Sequence, residues 1–145
     1  MDKTKYKIHE KNYKKIMFKP NHKILVPVDC SKNSMRGVNF AISLVKSSGG
    51  TITGLYVEPS TGTADSDLKD FFKEAEAHAQ RYGVSFINEI SIGSAGPEIV
   101  NYANTKHFDL IVIGARGFSK VKNFFLGSVS KYVLNASKIP VMIVK

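Results

Sequence analysis

The chain contains one cysteine, Cys30, in 145 residues. No intramolecular disulfide can form, and the composition fits a reducing compartment, with the cytoplasm as the expected location. No apolar run approaches the length of a membrane span, and no signal-peptide core stands near the start. Acidic residues are few, 12 against 21 Lys and Arg, for a net charge of +9. That excess is unevenly placed. Residues 1–22 hold seven lysines against Asp2 and Glu10, which is more than half of it, and the remainder of the chain is only mildly basic. A fold that binds nucleic acid over its whole surface is therefore not indicated. Two phosphate-binding signatures are also missing. No Gly-Lys-Ser/Thr follows four spacer residues as in a Walker A loop, and there is no Gly-x-Gly-x-x-Gly dinucleotide fingerprint.

What is present is an ordinary globular balance, 43% hydrophobic and 23% charged, at a length suited to one domain with a core. The most informative stretch begins at Ile113-Gly114-Ala115-Arg116-Gly117 and runs through Leu126-Gly127-Ser128-Val129. It follows the apolar run Asp109–Ile113, which reads as a buried parallel strand. It leads into Ser128–Ala136, where Val129, Tyr132, Val133 and Ala136 recur at the spacing of a helical stripe. The glycines thus lie between the carboxyl end of a strand and the amino end of a helix. In open α/β sheets ligands bind at that place, and free backbone N–H groups and the helix dipole favour an anion there. Glycine admits close approach of a ligand to the backbone. Ser128 can cap the helix or bond a phosphate, and Arg116, Lys120 and Lys122 add positive charge.

Taken in order, residues 1–22 show no clean period, although Tyr6, Tyr13 and Phe18 are interleaved with lysines. They read as a flexible basic extension, with contact to nucleic acid or another anionic surface as the functional alternative. Residues 23–145 form the domain proper. Ile24–Asp29 is the first buried strand, and Pro27 requires that its missing donor fall near the strand's carboxyl end. Asp29 then stands at the same rim as Gly114, suited to a ribose hydroxyl, to Mg²⁺ on phosphates, or to capping of the next helix together with Ser31. Met35, Val38, Ile42 and Val45 mark the first helix, and Thr51–Val57 the second strand. Glu58–Ala64 is a rim loop. Leu68, Phe71, Phe72, Ala75, Ala79 and Tyr82 form the stripe of a second helix, with His78 off it, facing solvent. Val84–Ile92 alternates as an edge strand does. A third helix opens near Pro97, and Val141–Val144 closes the chain as a last strand. The succession predicts an α/β, Rossmann-like domain with a parallel sheet, right-handed crossovers and helices on both faces.

The spacing Gly114-x2-Gly117-x9-Gly127-Ser128, with Leu25-Val26-Pro27-Val28-Asp29, Asp109–Gly114 and Pro140-Val141, resembles the ATP-binding branch of the universal stress protein family. The resemblance runs from about Lys23 to Lys145. It implies a single open five-stranded sheet of order 3-2-1-4-5, which sets Asp29 beside Gly114 at the switch point. It implies ATP as ligand, with Mg²⁺ accompanying it. Gly114, Arg116, Gly117, Gly127, Ser128 and Val129 would serve the phosphates and ribose. Asp29 would lie near ribose or metal, and Pro27, Val57 and Ile113 near the base or sugar. Cys30 departs from the glycine common at its position and reads as a passive small side chain. The resemblance also implies a homodimer, paired through Val141–Val144 at an open sheet edge.

The motif loop offers no Glu, His or Gln to activate water, and His107 precedes its strand and belongs to the opposite rim. The expected function is an ATP-binding regulatory or stress-response switch with an unidentified protein partner and at most slow hydrolysis. Two alternatives stand beside it: an ATP-using adenylylating enzyme of the related adenine-binding superfamily, and an adaptor acting through residues 1–22.

Overall fold

The computed structural model describes the backbone of residues 6–8 and residues 21–61, 66–115 and 126–145 in full. Its strands are β1 (Tyr6–Ile8), β2 (His22–Val28), β3 (Gly50–Glu58), β4 (Ser85–Ile92), β5 (Leu110–Gly114) and β6 (Val141–Val144). The helices are α1 (Lys32–Val45), α2 (Leu68–Arg81), α3 (Ala95–Thr105) and α4 (Ser128–Ala136). Five strands run parallel in the predicted order, which in these labels is β4-β3-β2-β5-β6.

The pleat sends alternate residues to opposite faces, and the apolar runs of β2, β5 and β6 are long enough to fill both. Ile24, Val26, Leu110, Val112, Met142 and Val144 pack beneath α1 and α2. Leu25, Ile111, Ile113, Val141 and Ile143 pack with Ile99, Ala103 and Val133 of α3 and α4. Phe71 and Phe72, read as core, are both buried and meet edge to face with centroids 6.4 Å apart. β4 is an edge strand as its alternation indicates, and Ile87, Ile90 and Ile92 stand exposed on it.

Four expectations are corrected. The strand Val141–Val144 is not the outermost strand of the sheet: β1, from the extension in which no period was found, pairs antiparallel along it. Three residues are too few to display a period, and what holds them is a long-range partner. Tyr82, placed on the second helical stripe, lies past the end of α2 and is 57% exposed, with the Lys46 ammonium 5.3 Å from its ring centre. On α4, Val133 is fully buried, whereas Tyr132 and Ala136 of the same stripe are exposed. A nine-residue helix leaning on α3 covers less than a whole face. His78, placed facing solvent, is half-buried and bonds Asn39 of α1 at 2.9 Å through Nδ1.

Candidate functional site

Pro27 shows how the switch point opens. The Lys23 carbonyl accepts the Asp109 N–H at 2.8 Å, so Lys23, and with it Leu25 and Pro27, directs its backbone groups toward β5. The ladder to β5 consists of Ile24–Leu110 and Leu25–Ile111. Pro27 lies beyond it, so the donor it lacks falls where β2 and β5 have parted. On the other side β2 stays paired with β3 as far as Val28–Tyr56. Val57 follows that last pair and stands where β3 outruns its neighbour.

A cavity of about 460 Å³ occupies this divergence, a size that suits a small-molecule ligand. Pro27, Asp29, Val57, Ile113, Gly114, Gly127, Ser128 and Val129 all border it, so eight of the ten residues singled out from sequence meet at one place. The other two, Arg116 and Gly117, lie outside the described residues, as do Lys120 and Lys122. Ser31, Ser34, Leu55, Tyr56, Ala95 and Ile99 also border the cavity and were not anticipated as lining. For Ser34 a signal exists in the spacing: Ser31-x-x-Ser34 at a helix start is a capping pattern.

The two helix starts at the cavity are finished differently. At α1, Ser31 is the N-cap and its Oγ accepts the Ser34 N–H at 3.1 Å. Asp29 Oδ1 accepts the Ser31 N–H at 3.0 Å, and Ser34 Oγ donates to the Ser31 carbonyl at 2.9 Å. The Ser31 and Ser34 amides there are thus satisfied by the chain's own side chains. Asp29 orders the turn into α1 through Oδ1 while it borders the cavity.

At α4 the N-cap is Gly127, with no side-chain cap. The first helical bond is Lys131 N–H to the Gly127 carbonyl at 2.9 Å. The N–H groups of Ser128, Val129 and Ser130 precede it and have no helical acceptor. The start of α4 is nonetheless held firmly. The Gly127 N–H donates to the Ala115 carbonyl at 2.8 Å, and buried Ser130 Oγ donates to the Gly114 carbonyl at 2.6 Å. An uncapped, anchored helix start bordering a cavity is arranged for an anion.

The glycines at either end of this join serve different ends. A Cβ on Gly114 would stand 2.9 Å from the Asn33 carbonyl oxygen and 3.0 Å from its carbon, so the first turn of α1 sits where a side chain would be. Gly127 has φ −59° and ψ 158°, which any residue adopts. Its backbone conformation does not require glycine. Cys30 holds φ +65°, the left-handed region that glycine enters freely. That φ is a physical reason for glycine at this position, and Cys30 holds it with a side chain.

Asp29 is the one carboxylate among the described lining residues, and no group of three or more His, Cys, Asp or Glu is arranged for a metal among the described residues. His107 lies on the far rim, before β5, exposed and with φ +57°. No helix formed by the described residues is long and apolar enough to cross a membrane.

Comparison with known proteins follows the same outline. The model of the universal stress protein family matches residues 20–145. A universal stress protein of Methanocaldococcus jannaschii is 30% identical over 138 residues, covering 85% of this chain and 81% of that protein. The structure of a universal stress protein from Archaeoglobus fulgidus superposes with a TM-score of 0.74 at 25% identity, over 86% of this chain and 98% of the other. A second structure from that organism, in complex with dAMP, gives a TM-score of 0.71 at 23% identity, over 88% of this chain and all of the other. At that identity the likeness carries the fold, and the nucleotide belongs to that protein.

Proposed function

This chain belongs to the universal stress protein family, and from that premise we propose that it holds an adenine nucleotide, ATP with Mg²⁺, at the switch point and acts as a nucleotide-dependent regulatory protein. The observation that carries the proposal is the uncapped start of α4, Gly127-Ser128-Val129-Ser130, facing a ligand-sized cavity beside Asp29. The residues present fit the group. The apolar wall of Leu55, Val57, Ala95 and Ile99 suits the faces of a base. Asp29 suits a ribose hydroxyl or Mg²⁺, and the α4 amides suit phosphate. A single carboxylate fits Mg²⁺ that arrives with the phosphates and keeps several waters, rather than an ion caged by protein ligands alone. Arg116 and Gly117 join the site on the strength of the motif.

The chemistry on offer is binding. Phosphoryl transfer needs a group that orients or activates the nucleophile, and Asp29 is the sole acidic candidate among the described lining residues. In this reading hydrolysis is at most slow, and the nucleotide's consequence is a changed surface for a protein partner. Where its outer edge is open, Val141–Val144 is the strand through which two copies would pair, and a single cysteine suits the reducing cytoplasm. The test is to denature the purified protein and identify released nucleotide by chromatography beside a Gly127→Val variant. Adenine nucleotide in the first and none in the second supports the proposal; equal amounts in both overturn it.

A further inference from the structure

β6 is buried on both faces, with no residue above 4% exposure. A strand so apolar, left with a free edge, is a template for pairing with another chain. Its edge-directed groups can be identified from the ladder on the other side. The Pro140 carbonyl accepts the Ile111 N–H at 2.9 Å, and the Val144 carbonyl accepts the Ala115 N–H at 2.8 Å. Even-numbered residues of this strand therefore face β5, and Val141 and Ile143 present their N–H and C=O groups outward. β1 lies along that outward row, in the register Tyr6–Val144, Lys7–Ile143 and Ile8–Met142. In an antiparallel pair with this parity, Lys7 and Ile143 exchange both backbone hydrogen bonds.

We infer that the chain's own β1 occupies the edge through which two copies would pair, so that β1 holds the full chain monomeric and its displacement permits dimerisation. This rests on the pairing proposed above for Val141–Val144. A twofold dimer about this strand would be isologous and would use the same outward groups of Val141 and Ile143. Each N–H can be donated to one ladder only, so the two arrangements exclude each other. The contest is between an intramolecular strand and a bimolecular one. A short tether gives its end an effective concentration on the order of millimolar, above the concentration of a second copy in most solutions. The strand that forms the new outer edge carries Lys7 at its centre. Lysine is a residue by which natural sheets discourage further edge pairing.

The test is sedimentation velocity over a concentration series on the full chain, a deletion of residues 1–8, and Lys7→Pro. Proline removes the N–H given to Ile143 without shortening the chain. Amide hydrogen exchange at Ile143 and released-nucleotide content are read on the same samples. The expected result is a monomeric full chain, with dimerisation tightened at least tenfold in both variants. The Ile143 amide should be protected in the full chain and protected only at high concentration in the variants. Nucleotide content should be the same in all three. Equal association in the full chain and the variants overturns the inference. If Ile143 nevertheless becomes exposed after deletion, the failure lies in the pairing proposed for Val141–Val144; if its protection is unchanged, the failure lies in β1 as the cap. A full-chain dimer that dissociates on deletion also overturns it, because β1 would then join the subunits rather than separate them.

Discussion

Gly114→Ala should destabilise the protein through a contact that has nothing to do with ligand. The added Cβ would lie 2.9 Å from the Asn33 carbonyl oxygen, 3.0 Å from its carbon and 3.1 Å from its Cβ. Two of these three are backbone atoms in the first turn of α1, so no side chain can swing aside. Overpacking of this kind costs roughly 1–3 kcal/mol. Against it stands the loss of glycine's freedom in the unfolded chain, which favours alanine by about 0.4–1 kcal/mol. The clash wins, and the net loss is about 1–2 kcal/mol. At roughly 3 °C per kcal/mol for a domain of this size, thermal unfolding followed by circular dichroism should fall by about 3–6 °C. Gly127→Ala is the matched control. Its backbone geometry suits alanine, and the loss at an N-cap should stay below about 1 kcal/mol. Its nucleotide affinity should nevertheless fall more than that of Gly114→Ala at matched temperature. A Gly114→Ala variant that melts at or above the parent would refute the packing argument.

Two further substitutions test the join between sheet and helices. Cys30→Gly should melt at or above the parent because φ +65° suits glycine, whereas Cys30→Val, β-branched at that φ, should lose about 1–2 kcal/mol in urea unfolding. Ser130→Ala should cost about 1–3 kcal/mol, since it strips a 2.6 Å hydrogen bond from the buried Gly114 carbonyl; an unchanged midpoint would mean that water or a neighbour replaces the hydroxyl.

Most of the sheet was legible because its strands announce themselves without help from distant residues. Leu110–Gly114 and Val141–Val144 are continuous apolar runs because they are buried on both faces, whereas Ser85–Ile92, at an edge, mixes polar and apolar residues, and Ile90 and Ile92 of its alternation stand exposed. The site was legible to the extent that its residues share a rim: strand-then-glycine at Ile113–Gly114 and strand-then-Asp at Val28–Asp29 both mark carboxyl ends. Other features depend on distance in sequence. Tyr6–Ile8 is a strand only because Met142–Val144 offers it an edge. The strained φ of Cys30 is set by the turn from β2 into α1, and nothing in the residue type foretells it. The Ser130 hydroxyl reads as an ordinary helix serine until β5 is brought beneath it. Leu55, Ala95 and Ile99 look like plain core residues and become lining only where the strands diverge.

The most direct test of the nucleotide site is a Mg·ATP titration followed through backbone amide resonances. The account predicts saturable shifts that are largest at Gly127, Ser128, Val129 and Ser130, with Asp29 and Val57 following at the same midpoint. No saturable change at those amides up to millimolar ATP, or changes confined to residues 1–22, would contradict it.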